Sequence, residues 1–314
     1  MRICYSGCMI FRHEYLKGIW VDIERPGENE IRQVAEEFSL GEHIEKELLY
    51  PTPTPLVSND ENMALLILHF PAHGASDGET KSQEVDIVVG KNFIVTVRYE
   101  VVAPLHHLKK LLEAQNMVEG RTPITTDVML EVLFAHLYTS VRDHINHVAD
   151  NLSRVEKEMF DGRERTTVRS ISNISREFLH AEASLATQEE SLNNFMNVLE
   201  KSEFFDGSFK LRAEHIKVER SNVARVVKTH RAVATELRET NMALLSVKQN
   251  AVMKTLTTVN FIFLPLGLIS WTFAMRTDGM PLIDSPNAFW IVLAIMSIVA
   301  MLLTAFFIKR RWLY

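Results

Sequence analysis

Two uncharged stretches near the C-terminal end constrain this chain more than any other feature. Residues 255–275 and 288–308 each comprise 21 residues without a formal charge. At about 1.5 Å per helical residue, each spans about 31 Å, close to a bilayer core of roughly 30 Å. Inside lipid such a stretch satisfies its own backbone only as a helix. The sequence therefore predicts two membrane spans joined by the short stretch 276–287, after a large water-facing part. The opening residues MRICYSGCMIFRHEYLKG are interrupted by charge and too poor in apolar length to read as a signal peptide.

Charge asymmetry orients the pair. Lys248 and Lys254 precede the first run, and Lys309, Arg310 and Arg311 follow the second. The connecting stretch carries Arg276, Asp278 and Asp284, a net charge of −1. An excess of Lys and Arg marks the cytoplasmic side, so both termini are expected in the cytoplasm and the loop outside. Trp271, Trp290 and Trp312 fall near the ends of the runs, where interfacial aromatics gather. Of 34 basic and 40 acidic residues, four and two lie beyond Lys254, which leaves residues 1–254 at −8. That balance excludes general nucleic-acid binding and suits metal cations, although a merely solvated acidic surface gives the same number. The two cysteines, Cys4 and Cys8, exclude a disulfide scaffold and any four-Cys zinc module, and His13 alone is too little to complete a thiol site.

The water-facing part has two textures. In residues 1–124, GIWVDIER, ALLILHFPA, VDIVVG and FIVTVRYE read as strands rich in Val and Ile. ENEIRQVAEEFSL and LHHLKKLLEAQ carry apolar residues at helical spacing, and Pro51, Pro53 and Pro55 mark an extended loop. This predicts an α/β domain with helices against a sheet. Residues 125–254 show helical spacing alone and read as a stalk. One helix is expected over 127–160, a break at DGRERTT, and a second helix over 168–201. After the turn EFFDGSF no Pro or Gly occurs until Pro265, so residues 209–275 are expected to form one helix about 100 Å long. A rod of that length needs partners to pack against. With two spans per chain, a pore requires several chains around an axis.

In this order of parts, and in particular motifs, the chain resembles the CorA family of divalent-cation transporters, including its zinc-transporting ZntB branch. WVDIERPGENEIRQVAEEFSL (20–40), ALLILHF (64–70) and GKNFIVTVRY (90–99) resemble the family's head blocks. NAVMKTLTTVNFIFLPLGLIS (250–270) combines the family's N-x-V-M-K-x-L-T entry with its F-x-P-L turn. The loop GMPLIDSPNAFW (279–290) is more similar to the zinc branch, and the terminal KRRWLY also fits. The resemblance implies a homopentameric funnel in the inner membrane. Its cytoplasmic α/β head leads through the stalk to a pore-lining first span (255–275), an external loop (276–287), a lipid-facing second span (288–308) and a basic tail (309–314). By motif, Asn250, Met253, and Leu256 or Thr257 fall at the cytoplasmic entrance, with Asn260, Leu264 and Gly267 further along the same face. Asn260 is informative on physical grounds too, because an amide in an apolar span must meet water, cargo or another helix. Met253 and Leu256 are expected to form a hydrophobic gate, unless they are ordinary lipid- or helix-facing residues.

One departure stands out. Where the family carries G-M-N after the first span, this chain has Ala274, Met275 and Arg276. Five Arg276 side chains at about 7 Å from a divalent ion would repel it by about 6 kcal/mol in water-like dielectric. Asp278 and Asp284 lie in the same loop, and pairing of Arg276 with Asp278 would cancel much of this. Three readings follow. The chain transports a divalent cation, zinc slightly ahead of magnesium, with altered selectivity. Alternatively it keeps the scaffold as a non-conducting sensor or membrane-anchored interaction protein. In a third reading the arginine ring makes an anion-permissive mouth.

Asp143, His144, His147 and Asp150 fall on one expected helix, three of them on one face, and suit a zinc-class regulatory site; a solvated helix face is the plainer reading. His106 and His107 read as surface residues. No phosphate-binding, dinucleotide-binding, nucleophile-elbow or H-E-x-x-H motif occurs, so no enzyme and no permanently bound cofactor are expected.

Overall fold

The computed structural model describes residues 9–60, 62–71, 82–119, 124–202, 204–275 and 287–310. The chain divides into two compact units, Met1–Arg238 and Glu239–Tyr314.

In the first unit, six strands form one sheet: β1 Met9–Tyr15, β2 Gly18–Glu24, β3 Leu56–Asp60, β4 Met63–Pro71, β5 Ser82–Gly90 and β6 Phe93–Arg98. Their order is β1-β2-β6-β5-β4-β3. Only β2 and β6 run parallel; the other neighbours are antiparallel. The four apolar segments expected as strands are β2, β4, β5 and β6. β1 and β3 are additional. Each lies at a sheet edge, where exposed polar residues such as Arg12, Glu14, Asn59 and Asp60 interrupt the apolar signal.

The sheet is covered on both faces, which explains why β4 reads as a nearly unbroken apolar run. On one face, Leu65, Ile67, Val88, Val95 and Val97 pack with Ile31 and Val34 of α1 (Glu28–Phe38) and with Ile44 and Leu48 of α2 (Glu42–Leu48). α1 begins where Glu30 Oε2 accepts a hydrogen bond from Gly27 N at 3.1 Å, and Glu28 and Glu30 suit its positive end. It ends at Ser39 in the left-handed region, φ 52°. α5 (Glu164–Lys201) packs against β4.

α3 (Ala103–Glu119) and α4 (Thr126–Glu158) follow the sheet. α4 buries Leu130, Leu133, Phe134, Leu137, Val141, Ile145, Val148, Leu152 and Val155, the three-to-four spacing of a single apolar stripe. It lies against α5, and Tyr138 Oη donates to Gln188 Oε1 at 3.1 Å. The expected break at DGRERTT is narrower than the sequence suggests. A kink at Gly162 (φ 92°), within Met159–Arg163, separates α4 from α5, and helix resumes at Glu164.

α6 is a single helix, Phe209–Ala274, of 66 residues, in agreement with the absence of Gly and Pro before Pro265. Within the first unit, arginines fasten it to its neighbours. Arg212 reaches Asp127 and Glu131 of α4 at 2.8 and 2.7 Å. Arg220 donates to the Leu185 carbonyl at 2.8 Å and pairs with Glu189 at 3.0 Å, and Arg231 pairs with Glu182. In the second unit, the rest of α6 is joined by α7, Ala288–Lys309.

Candidate ion pathway

Two helices, Phe209–Ala274 and Ala288–Lys309, contain segments long and apolar enough to cross a membrane. Their polar groups are dealt with locally. Thr255, Thr257, Thr258 and Thr272 each donate to the carbonyl four residues earlier, at 3.0, 2.7, 2.9 and 2.8 Å. The hydroxyl hydrogens are therefore used inside the helix, and the oxygen lone pairs remain as acceptors. Pro265 sits within α6 and offers no N–H to the preceding turn.

α6 and α7 meet through specific side chains. The rings of Phe261 and Phe307 lie 6.3 Å apart, and Ser270 Oγ lies 3.5 Å from Met296 Sδ. A cavity of about 350 Å³ opens beside Phe261, Leu303 and Phe306, with Arg310 at its rim and stacked 5.7 Å over the Phe306 ring.

The residues expected to line a path are among the exposed and half-exposed ones of α6. Asn250, Met253, Leu256, Asn260 and Leu264 are exposed, and Thr257 and Gly267 are half-exposed. Met253, Leu256 and Leu264 stand at 54%, 53% and 68% exposure, high for large apolar side chains. At about 100° of rotation per residue, Phe261 lies about 100° round the helix from Asn260, and buried Thr258 about 200°. Residues elsewhere round the same helix, such as Val252, Phe261, Phe263 and Leu268, are exposed as well. Ala274 and Met275 are exposed at the end of the span. Arg276, Asp278 and Asp284 lie outside the described residues, as do Cys4 and Cys8.

In the first unit, Asp143, His144 and His147 of α4 line a groove of about 590 Å³ together with His107 and His136; Asp150 is not part of its lining. Among the described residues no group of three His, Cys, Asp or Glu is placed to hold a metal ion. Residues 143 and 150 are separated by about 10 Å along the helix axis, which sets Asp150 apart from the other three.

A buried polar chain in the head gave little signal in the sequence. Asp86, set in the apolar run VDIVVG, is fully buried, and Tyr99 Oη lies 3.1 Å from its Oδ2 and 3.0 Å from the Leu48 carbonyl. Burial, and then the charge of Glu84, push the Asp86 carboxyl well above the usual carboxylate range. His13 is also buried, which pushes its imidazole down.

The family model described as CorA-like Mg2+ transporter protein matches residues 16–310. The chain belongs to this CorA-like family. A curated relative, the cobalt/magnesium transport protein CorA of Methanocaldococcus jannaschii, is 21% identical over 302 residues, covering 94% of this chain and 91% of its own. The complete structure of the CorA magnesium transporter from the same organism superposes with a TM-score of 0.79 at 20% identity, over 95% of this chain and 92% of that one. The ZntB cytoplasmic domain from Vibrio parahaemolyticus gives a TM-score of 0.58 at 12% identity, over 76% of this chain and 98% of that one. The CorA fold thus extends through both the α/β head and the two apolar C-terminal helices. This bears out the resemblance seen in the head blocks and in residues 250–270.

Proposed function

We propose that the chain is a divalent-cation channel that works as a homopentamer in the inner membrane, with α6 around an axial path, α7 facing lipid and both termini in the cytoplasm. What supports this reading is the family match over residues 16–310, together with an α6 stripe, Asn250, Met253, Leu256, Asn260, Leu264 and Gly267, that is exposed or half-exposed in the single chain. Copies of the chain arranged around an axis would cover it. Asn250 and Asn260 would present amide oxygens to a cation that keeps most of its water, as suits magnesium. Met253 and Leu256 would close the path by dewetting. Gly267 supports the same placement. A Cβ there would lie 3.6 Å from the Trp271 ring, an ordinary contact, so nothing among the described residues requires a glycine. The small residue is accounted for if it keeps an inter-chain path wide.

Magnesium and cobalt are the leading cargo, because they are the ions in the names of the curated CorA relatives. Zinc comes second, since the ZntB likeness is one of fold in the cytoplasmic domain. Arg276 supports the competing readings of a non-conducting scaffold or an anion-permissive mouth, and Asp278 is its natural counter-charge. Uptake of radiolabelled magnesium, zinc and chloride into liposomes carrying the purified protein separates them. The cation reading requires uptake of magnesium or zinc above that of empty vesicles, and magnesium uptake is expected to lead. Uptake of none of the three would favour the scaffold, and chloride uptake alone would favour the anion mouth.

A further inference from the structure

α6 and α7 run antiparallel, since Phe261 meets Phe307 while Ser270 meets Met296. At the end of this pair where α7 stops, an apolar cavity of about 350 Å³ opens between Phe261, Leu303, Phe306 and Phe307. Leu303, Phe307 and Arg310 follow one another at spacings of four and three, so they share a face of α7. Arg310 closes the rim, with its guanidinium stacked 5.7 Å over the Phe306 ring. Stacking uses the flat face of the guanidinium and leaves the N–H groups at its edge, and no hydrogen bond or ion pair to a described residue engages them. Lys254 lies seven residues before Phe261, about two turns, hence on the same face of α6 and about 10 Å nearer this end. Lys309 and Arg311 flank Arg310 in sequence, and neither 240–275 nor 288–314 contains an Asp or Glu.

We infer that the cavity binds one acyl chain of an anionic phospholipid, with Arg310 on the headgroup phosphate and Lys254 adding charge from α6. The occupant must be apolar in its body and anionic at one end, because the walls are aromatic and aliphatic while the rim is a guanidinium. A phospholipid meets both requirements, and free phosphate meets only the second. A second copy of the chain would need a carboxylate at this depth, which neither 240–275 nor 288–314 supplies. A planar guanidinium held against an aromatic ring is pre-set for a bidentate grip on phosphate. Basic pockets between membrane helices on the cytoplasmic side are where anionic headgroups collect. The volume lies at the low end of the roughly 300–1,000 Å³ of ligand sites, which suits one chain and leaves the rest of the lipid in the bilayer. The inference rests on α6 and α7 spanning the membrane with the Arg310 end cytoplasmic, as proposed above, and not on ion passage or on the number of chains.

The test mixes the full-length protein in mild detergent with equal amounts of phosphatidylglycerol and phosphatidylcholine and counts the retained lipids by native mass spectrometry. Retention of one phosphatidylglycerol per chain, in preference to phosphatidylcholine, is expected. The count is per chain, so its failure is read separately from failure of ion uptake or of subunit assembly. Arg310 is exposed, so Arg310→Gln should leave the fold intact and cut the preference about fivefold, the effect of one basic residue near an anionic surface. Leu303→Trp fills the cavity and should lower retention of both lipids. Arg32→Gln, at an exposed position of the head, should change neither. Equal retention of the two lipids by the wild type would overturn the assignment. So would an undiminished preference in Arg310→Gln, unchanged retention in Leu303→Trp, or displacement of the lipid by inorganic phosphate.

Discussion

Arg98 and Asp22 are joined by three hydrogen bonds across β6 and β2, at 2.8, 3.2 and 3.3 Å, although each side chain is only 1% exposed. Thr96 Oγ1 donates to Asp22 at 2.7 Å and accepts from Trp20 Nε1 at 3.1 Å, and Glu24 adds a second carboxylate 2.9 Å from Arg98. The network pins the parallel β2–β6 pair. Asp22→Ala removes the best-placed anion from a buried guanidinium, a change that typically costs about 3–5 kcal/mol. The expected result is a large fall in the unfolding temperature of the head, or loss of folded protein, as measured by circular dichroism. A fall no greater than that of an exposed control such as Glu42→Ala would show that the pair is unimportant.

Asp86 predicts a dependence on pH with a definite sign. A carboxyl whose pKa is raised on folding holds its proton more tightly in the folded state. Its contribution therefore favours the fold at low pH and is lost as pH climbs from the unfolded value of about 3.9 towards the raised one. Asp86→Asn keeps the shape of the protonated acid and removes the titration. The unfolding temperature of the variant should fall less than that of the wild type between acidic and neutral pH. Parallel curves would mean that Asp86 is not the titrating group.

Gly162 carries the helix kink at φ 92° and ψ 15°. A side chain there meets the left-handed penalty of about 1–2 kcal/mol. Gly162→Ala should loosen the tip between α4 and α5, read as faster hydrogen exchange around residues 159–163 with little change in the sheet. Unaltered exchange would show that the turn relaxes without cost.

Met253→Ala tests the hydrophobic gate. Shortening this exposed side chain widens the narrowest part of the proposed path and eases wetting, so resting ion leak should rise. Equal or lower leak at matched protein density would place the closure elsewhere.

The membrane helices and the inner strands were legible because each depends on local pattern. The runs 255–275 and 288–308 lack charge, and the valine- and isoleucine-rich segments supply β2, β4, β5 and β6. Edge strands β1 and β3 were missed because their alternation is diluted by exposed polar residues, and α2 was missed because EHIEKEL is a single short amphipathic stretch. The stripe on α6 could be named from motif and spacing. That it is exposed or half-exposed in the single chain required coordinates. His69 looked like one polar residue in an apolar strand. Its partners Thr52 and Glu84 are distant in sequence and meet it only in the fold. Asp143, His144 and His147 share one groove, as positions three and four apart on a helix allow.

The central claim is that identical chains surround a common axis with the Asn250–Gly267 stripe facing inward. Native mass spectrometry of the protein extracted directly into lipid nanodiscs counts the subunits. Five chains per particle are predicted, and particles containing only one or two chains would contradict the account.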